Sequence, residues 1–177
     1  MDELTEILRV ATAAVEAPYF HLNIDGGDPV FRERVYCYEL YHQMRKYWPD
    51  GSKHFLNGEL DKRAHPILRE MGADHVKPDF LVHTPGSMEG NYAIIEVKHS
   101  TSTQGVQKDL GTLDLFVRKV GYRRAIYLIY GAEANAKGVA KIEAIANTFS
   151  SLAPIEIWLH SDVAASAIHH TTLHKLA

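Results

Sequence analysis

The stretch that decides the fold runs from Lys77-Pro78-Asp79 to Glu96-Val97-Lys98, with sixteen residues between Asp79 and Glu96. Residues 79–83 and 91–99 are short runs rich in Ile, Val, Phe and Tyr, which favour β-strands. Pro and Gly in residues 84–90 are typical of a turn. We therefore predict a hairpin of two adjacent antiparallel strands.

Asp79 and Glu96 are expected to meet on this hairpin, with Lys98 beside them. Side chains alternate along a strand, so Glu96 and Lys98 point to the same face. Two neighbouring carboxylates suit a hard divalent cation such as Mg²⁺, which would polarise a phosphate and acidify a water while Lys98 stabilises negative charge. In the alternative interpretation, Glu96 and Lys98 form a strand-edge charge pair and Pro78-Asp79 starts a turn.

Pro78-Asp79 followed by Glu96-Val97-Lys98 resembles the motif of the PD-(D/E)xK, or restriction-endonuclease-like, nuclease superfamily. The sequence around residues 32–43 and 57–66 also resembles small bacterial members of it, and the resemblance covers residues 31–131. It implies a helix before a three-stranded meander, then a second helix and another strand in the same mixed sheet. It also implies a nuclease dependent on Mg²⁺ or Mn²⁺, for which DNA is favoured over RNA as the substrate without RNA being excluded. Val97 would supply its backbone carbonyl to the metal beside Asp79 and Glu96.

The flanking sequence predicts the rest of an α/β (α+β) fold, with a mixed central sheet flanked by helices. Helices are predicted over residues 2–16, 30–48, 100–119 and 132–147, and further strands over residues 54–60, 124–131 and 154–159. Asp28-Pro29 is the start signal of the second helix, and helical crossovers predict parallel pairing of the late strands. We expect a single domain over residues 1–177, with the nuclease-like core at about 28–131 and a C-terminal extension at 132–177.

A further catalytic carboxylate is expected near the metal, and the sequence offers three candidates. Glu33 lies on the apolar stripe of its predicted helix with Cys37, where a carboxylate without a partner would be costly. This favours Glu33 over Glu39, which projects toward the polar side, although an acidic residue near a helix N-terminus is also stabilised by the helix dipole. Glu59 is the third candidate; it shares a predicted strand face with Asp61 unless this segment is a charged loop.

The net charge is the main argument against a nucleic-acid enzyme. The chain has 19 Lys plus Arg against 22 Asp plus Glu, a formal charge of −3, whereas nucleic-acid-binding proteins commonly carry basic patches. Phosphate contacts are therefore assigned to individual side chains, foremost Lys62, Arg63, Arg123 and Arg124. The alternative function is a nuclease-like module without turnover that binds nucleic acid or protein. A homodimer would suit the cutting of two strands.

Histidines are numerous, but they form no convincing zinc motif. His170 and His174 are spaced for one helix face, yet no Cys/His framework accompanies them. His99 is expected on the strand face opposite Lys98, and His83 is a candidate to line the cleft.

The sequence also bears on disulfide bonding and on membrane insertion. A single cysteine rules out an internal disulfide. The sequence has no apolar segment of about 20 residues and no signal-peptide pattern, so we expect a cytoplasmic protein with no membrane partner.

Overall fold

The computed structural model describes residues 3–59, 69–70 and 76–176. Within them it has five α-helices: α1 Glu3–Ala13, α2 Ala17–Phe20, α3 Glu33–Lys46, α4 Thr103–Arg118 and α5 Ala136–Ala146. The strands are β1 Leu22–Ile24, β2 Gly27–Val30, β3 Phe55–Gly58, β4 Phe80–His83, β5 Ala93–Lys98, β6 Arg124–Tyr130, β7 Leu152–His160 and β8 Ile168–Lys175. None of the described helices is both long and apolar enough to cross a membrane.

Strands β3 to β8 form one six-stranded mixed sheet in their sequence order, and β1 and β2 form a separate hairpin. The pairs β3–β4, β4–β5 and β7–β8 are antiparallel, whereas β5–β6 and β6–β7 are parallel. The parallel pairs are those joined by α4 and α5, because parallel neighbours need a crossover connection. The mixed sheet, the antiparallel hairpin and the parallel late strands are confirmed.

The sheet is buried on both faces. Alternate residues of β5 illustrate this, since Ile95 and Val97 belong to one apolar cluster while Ile94 belongs to the other. The first cluster is covered by α1 and α3, and the second by α4 and α5, with these buried side chains: Leu4, Leu8, Tyr36, Leu40, Leu110, Leu113, Val139 and Ile142. Because side chains alternate along each strand, the two faces are packed independently.

The predicted start of the second helix is wrong. Residues 27–30 form β2, which pairs with β1, and α3 begins only at Glu33. The reversal between the strands occurs at Gly26, whose φ of +74° is readily adopted by glycine. Pro29 is tolerated in this two-stranded ribbon because an edge position does not require its missing N–H.

The C-terminal prediction is also incomplete. Residues 168–175 form β8, the edge strand antiparallel to β7, so His170 and His174 lie on a strand and not on a helix face. Thr171 and Thr172 agree with this, since β-branched residues favour strands. The predicted N-terminal helix is found at Glu3–Ala13 and the predicted first strand at Phe55–Gly58.

Candidate active site

The register of β4 and β5 brings Asp79 and Glu96 together. Phe80 pairs with Ile95, so one further step along the antiparallel ladder places Asp79 opposite Glu96. Asp79 Oδ2 accepts a hydrogen bond of 2.8 Å from the Val97 N–H. This bond ties the residue before β4 to the neighbouring strand and orients the Asp79 carboxylate.

Burial disfavours the charged forms of Asp79 and Glu96. Glu96 is only 5% exposed, and burial, followed by the charges of Asp79 and Asp109, raises the pKa of Glu96 well above its usual value. Burial also raises the pKa of Asp79, against the lowering effects of the Val97 N–H bond and of Lys98. Two neighbouring buried carboxyl groups ionise together more readily when a cation lies between or beside them.

Lys98 contacts carboxylates from two different helices. Its Nζ lies 3.1 Å from Glu33 Oε2 and 3.8 Å from Asp109 Oδ2, and its side chain is 21% exposed. Burial by itself lowers the pKa of Lys98, but Asp109, Asp79, Glu33 and Glu96 together raise it above its ordinary value. Lys98 is therefore a fixed cation within a group of four carboxyl groups.

Asp109 is the site residue that sequence reasoning missed. It lies on α4, is 3% exposed, and accepts a hydrogen bond of 3.4 Å from the Tyr127 hydroxyl. A signal for it is present in the sequence: Val106 and Leu113, both buried, flank Asp109 at helical spacings of three and four. A carboxylate on an apolar helix stripe needs a partner, which is the argument that identified Glu33.

The cleft opens on the α4 side of the sheet. It has a volume of about 520 Å³, and among the described residues its walls come from the segment before β4, from β5 and from α4: Val76, Lys77, Asp79, Glu96, Lys98, Lys108, Asp109, Gly111, Thr112 and Leu115. Helix α3 packs on the opposite face. Glu33 is the first residue of α3, and its side chain contacts Lys98 at the end of β5. The helix that covers the cleft is therefore α4 and not the helix that carries Glu33.

The other two candidate carboxylates do not join this cluster. Glu39 is 9% exposed and accepts a hydrogen bond of 2.5 Å from Gln43 Nε2, so its predicted location on the polar side of α3 is wrong. Glu59 has a φ of +34°, and its carboxylate pairs with Arg34 at 3.3 Å. Asp61 lies outside the described residues.

Arg124 is held far from the cleft by a structural ion pair. Its Nε and Nη2 donate hydrogen bonds of 2.8 Å each to the two Glu156 oxygens. It pairs with Ala93 at the start of β5, whereas Lys98 ends that strand, so about 16 Å of strand separates them. Its guanidinium is therefore engaged by Glu156 at the end of β5 opposite Lys98, and its assignment as a phosphate contact stays a prediction. Arg123 is exposed at this same end, and Lys62 and Arg63 lie outside the described residues.

Two histidines near the hairpin differ in their relation to the site. His99 Nε2 lies 3.9 Å from Glu33 Oε1, and its ring stacks on Phe31 with centroids 5.7 Å apart. The ring also lies against Tyr130, with centroids 6.3 Å apart, and Tyr130 belongs to the apolar cluster under α1 and α3, against which Phe31 packs. His99 is therefore on the side opposite the cleft, as expected, although it approaches Glu33. His83 is hydrogen-bonded to Asn57 at 2.8 Å.

The donor set fits a divalent cation. Asp79 and Glu96 supply hard oxygen ligands at adjacent strands, which suit such an ion. Among the described residues, no three Asp, Glu, His or Cys side chains converge as a complete ligand set, so backbone oxygen and water would have to complete the shell. Mg²⁺ commonly binds through one or two carboxylates and keeps several waters.

Comparison with known proteins places no constraint on this site. No protein-family model, no curated protein and no solved structure matches the chain.

Proposed function

We propose that this protein is a metal-dependent nuclease of the PD-(D/E)xK type that hydrolyses DNA phosphodiester bonds. The observation that carries the proposal is the cleft that Asp79, Glu96 and Lys98 line together, with both acids at adjacent strands and the pKa values of both raised by burial. Paired carboxylates with strongly raised pKa values in a cleft are typical of functional sites. A purely structural role would be costly, since burying these acids opposes folding.

The residues of the cleft have separate roles in the proposed hydrolysis. Asp79, Glu96 and the Val97 carbonyl would hold Mg²⁺ or Mn²⁺, which when bound supplies Lewis-acid polarisation of the phosphate and acidifies a water. Lys98 donates hydrogen bonds to the oxygens on which negative charge develops. Its ammonium is kept protonated by neighbouring carboxylates, so it acts as a charge stabiliser and not as a base.

Glu33 and Asp109 act through Lys98. They contact its ammonium from α3 and α4 respectively, which restricts the flexible side chain to one direction. Because the Lys98 ammonium is already held in position, it does not have to move when negative charge develops in the reaction. We assign both as positioning residues.

The order of elements supports the restriction-endonuclease-like topology as part of this proposal. Helix α3 precedes the antiparallel strands β3, β4 and β5; helix α4 then crosses over to β6, which is parallel to β5. This is the order that the sequence resemblance implies. We accordingly propose one nuclease-like domain, with β7, β8 and α5 as its extension.

The test is cleavage of single-stranded, double-stranded and branched DNA and of RNA, with Mg²⁺, with Mn²⁺ and with EDTA. We expect metal-dependent cleavage that falls at least about a hundredfold in Asp79→Asn, Glu96→Gln and Lys98→Met, since each removes a charge from the reacting centre. Glu143→Gln is the matched control, because Glu143 is an exposed acid on α5 that does not line the cleft. Cleavage at the wild-type rate in all three cleft variants would refute the assignment.

Absence of cleavage under every condition, combined with tight binding of an oligonucleotide, would favour a binding module without turnover. The net charge of −3 is the observation that favours this second function.

A further inference from the structure

The exposed face of α3 is basic, although the whole chain carries a formal charge of −3. Helix α3, described in full, has two acids, and neither is available at this face: Glu33 contacts Lys98 and Glu39 is buried against Gln43. Its exposed side chains include no carboxylate, and four of them are basic: Arg34, His42, Arg45 and Lys46. Charge is thus segregated on this helix, with the acids turned inward.

These residues form a continuous stripe with one aromatic side chain in its middle. At about 100° per residue, Arg34, Tyr38, His42, Arg45 and Lys46 fall within an arc of about 120°, and at 1.5 Å per residue they span about 18 Å. We call this set the α3 face. Tyr38 is 64% exposed, so its ring is available for stacking in the middle of this basic stripe.

The α3 face begins beside the candidate active site. Glu33, the first residue of α3, lies 3.1 Å from Lys98 Nζ, and Arg34 is the next residue. The cleft opens on the α4 side of the sheet and α3 packs on the other side, so a flexible strand would pass around the end of β5 to contact both.

The contact between Arg34 and Glu59 does not block this surface. Their side chains are 67% and 47% exposed, and exposed ion pairs contribute little to stability. A phosphate can therefore replace Glu59 as the partner of Arg34, with bidentate geometry that suits the guanidinium.

We propose that the α3 face binds a single-stranded segment of nucleic acid, with phosphates on Arg34, Arg45 and Lys46 and an unpaired base stacked on Tyr38. This inference rests on the proposed function and specifies the substrate that the site receives. Basic side chains that follow a backbone, interleaved with aromatic rings that stack on bases, are the usual means of holding single strands. In a duplex the bases already stack on one another, so Tyr38 would gain nothing there.

The test is fluorescence anisotropy with a labelled single-stranded DNA oligonucleotide and a duplex of the same sequence, in EDTA, over a range of salt concentrations. The variants are Arg34→Gln/Arg45→Gln and Tyr38→Ala, and the matched control is Lys137→Gln, an exposed basic residue on α5 across the sheet. Each lost phosphate contact on a single strand lowers the slope of log affinity against log salt by about 0.7, so the double variant should lose about 1.4. Tyr38→Ala should weaken single-strand binding about tenfold.

Unchanged affinity and salt dependence in the double variant would overturn the proposal, as would duplex binding tighter than single-strand binding. Thermal melts of each variant separate loss of binding from loss of folding. Because binding is measured in EDTA, it is independent of hydrolysis. A wild type that binds through the α3 face but never cleaves refutes the proposed function alone; one that cleaves while its α3 variants bind normally refutes this inference alone.

Discussion

Replacing Lys98 with methionine keeps the length of the side chain and removes the charge from the centre of the carboxyl cluster. With an effective dielectric constant of about 20, Coulomb's law gives roughly 5 kcal/mol for the 3.1 Å contact with Glu33 and roughly 4 kcal/mol for the 3.8 Å contact with Asp109. Dehydration of the ammonium offsets much of this. Removing one partner of a buried pair costs about 3–5 kcal/mol, and because Glu33 is 32% exposed, we expect a loss of about 3 kcal/mol.

The assay is urea unfolding of the wild type, Lys98→Met and Lys108→Met at several pH values. Lys108 lines the same cleft but is exposed, so its loss should change the free energy of unfolding by less than about 0.5 kcal/mol. The deficit of Lys98→Met should shrink as the pH falls from 8 to 5. Carboxyl groups whose pKa is higher in the folded than in the unfolded protein favour folding increasingly as they become protonated, and loss of Lys98 raises these pKa values further.

Two results would refute this reasoning. One is a destabilisation of Lys98→Met no larger than that of Lys108→Met, which would mean that the carboxyl groups are solvated without the ammonium. The other is a deficit that grows on acidification, since the four acids would then not be the source of the repulsion.

Three further outcomes are expected. Asp109→Asn should lower the pKa of Lys98, because Asp109 is the foremost carboxylate raising it, and should slow cleavage by freeing the ammonium from its position; cleavage at the wild-type rate would contradict the positioning role. Burial lowers the pKa of His160 from 6.5 to about 4, so His160 contributes stability that is complete above about pH 6.5 and lost as the pH falls toward 4. By pH 5 the loss is about 2 kcal/mol, and parallel pH dependences of unfolding for the wild type and His160→Gln would contradict it. Arg124→Met should destabilise the fold by about 2 kcal/mol or more through loss of the pair with Glu156 while leaving oligonucleotide affinity in EDTA unchanged; weaker binding by the folded variant would support Arg124 as a phosphate contact.

The hairpin was predictable from sequence because its signals are local. Alternation placed Glu96 and Lys98 on one face, and the Pro- and Gly-containing turn fixed the pairing that brings Asp79 opposite Glu96. Glu33 was also predictable, since an acid on an apolar helix stripe indicates a partner elsewhere.

The failures arose where local signals compete. Asp28-Pro29 is a helix start signal in isolation, but the reversal at Gly26 pairs β2 with β1 and moves the start of α3 to Glu33. Glu39 was assigned to the polar side, yet packing of α3 buries it with Gln43. Whether a side chain at the edge of a helix's apolar stripe is buried depends on which element packs beside it. The sequence of the helix alone does not specify that element.

By itself, the sequence determined the alternating strands, the order of the main elements and the pairing of Asp79 with Glu96, because these follow from periodicity and turn chemistry within a few residues. Only the tertiary structure decided that Asp109 approaches Lys98 from α4, that Arg124 pairs with Glu156 far from the cleft, and that α3 turns its acids inward and its basic face outward. These contacts join residues distant in the chain, and their geometry is set by the packing of helices against the two faces of one sheet. The pairing of Asp79 with Glu96 could thus be predicted from the sequence, whereas the positions of the charges around it depend on the folded structure.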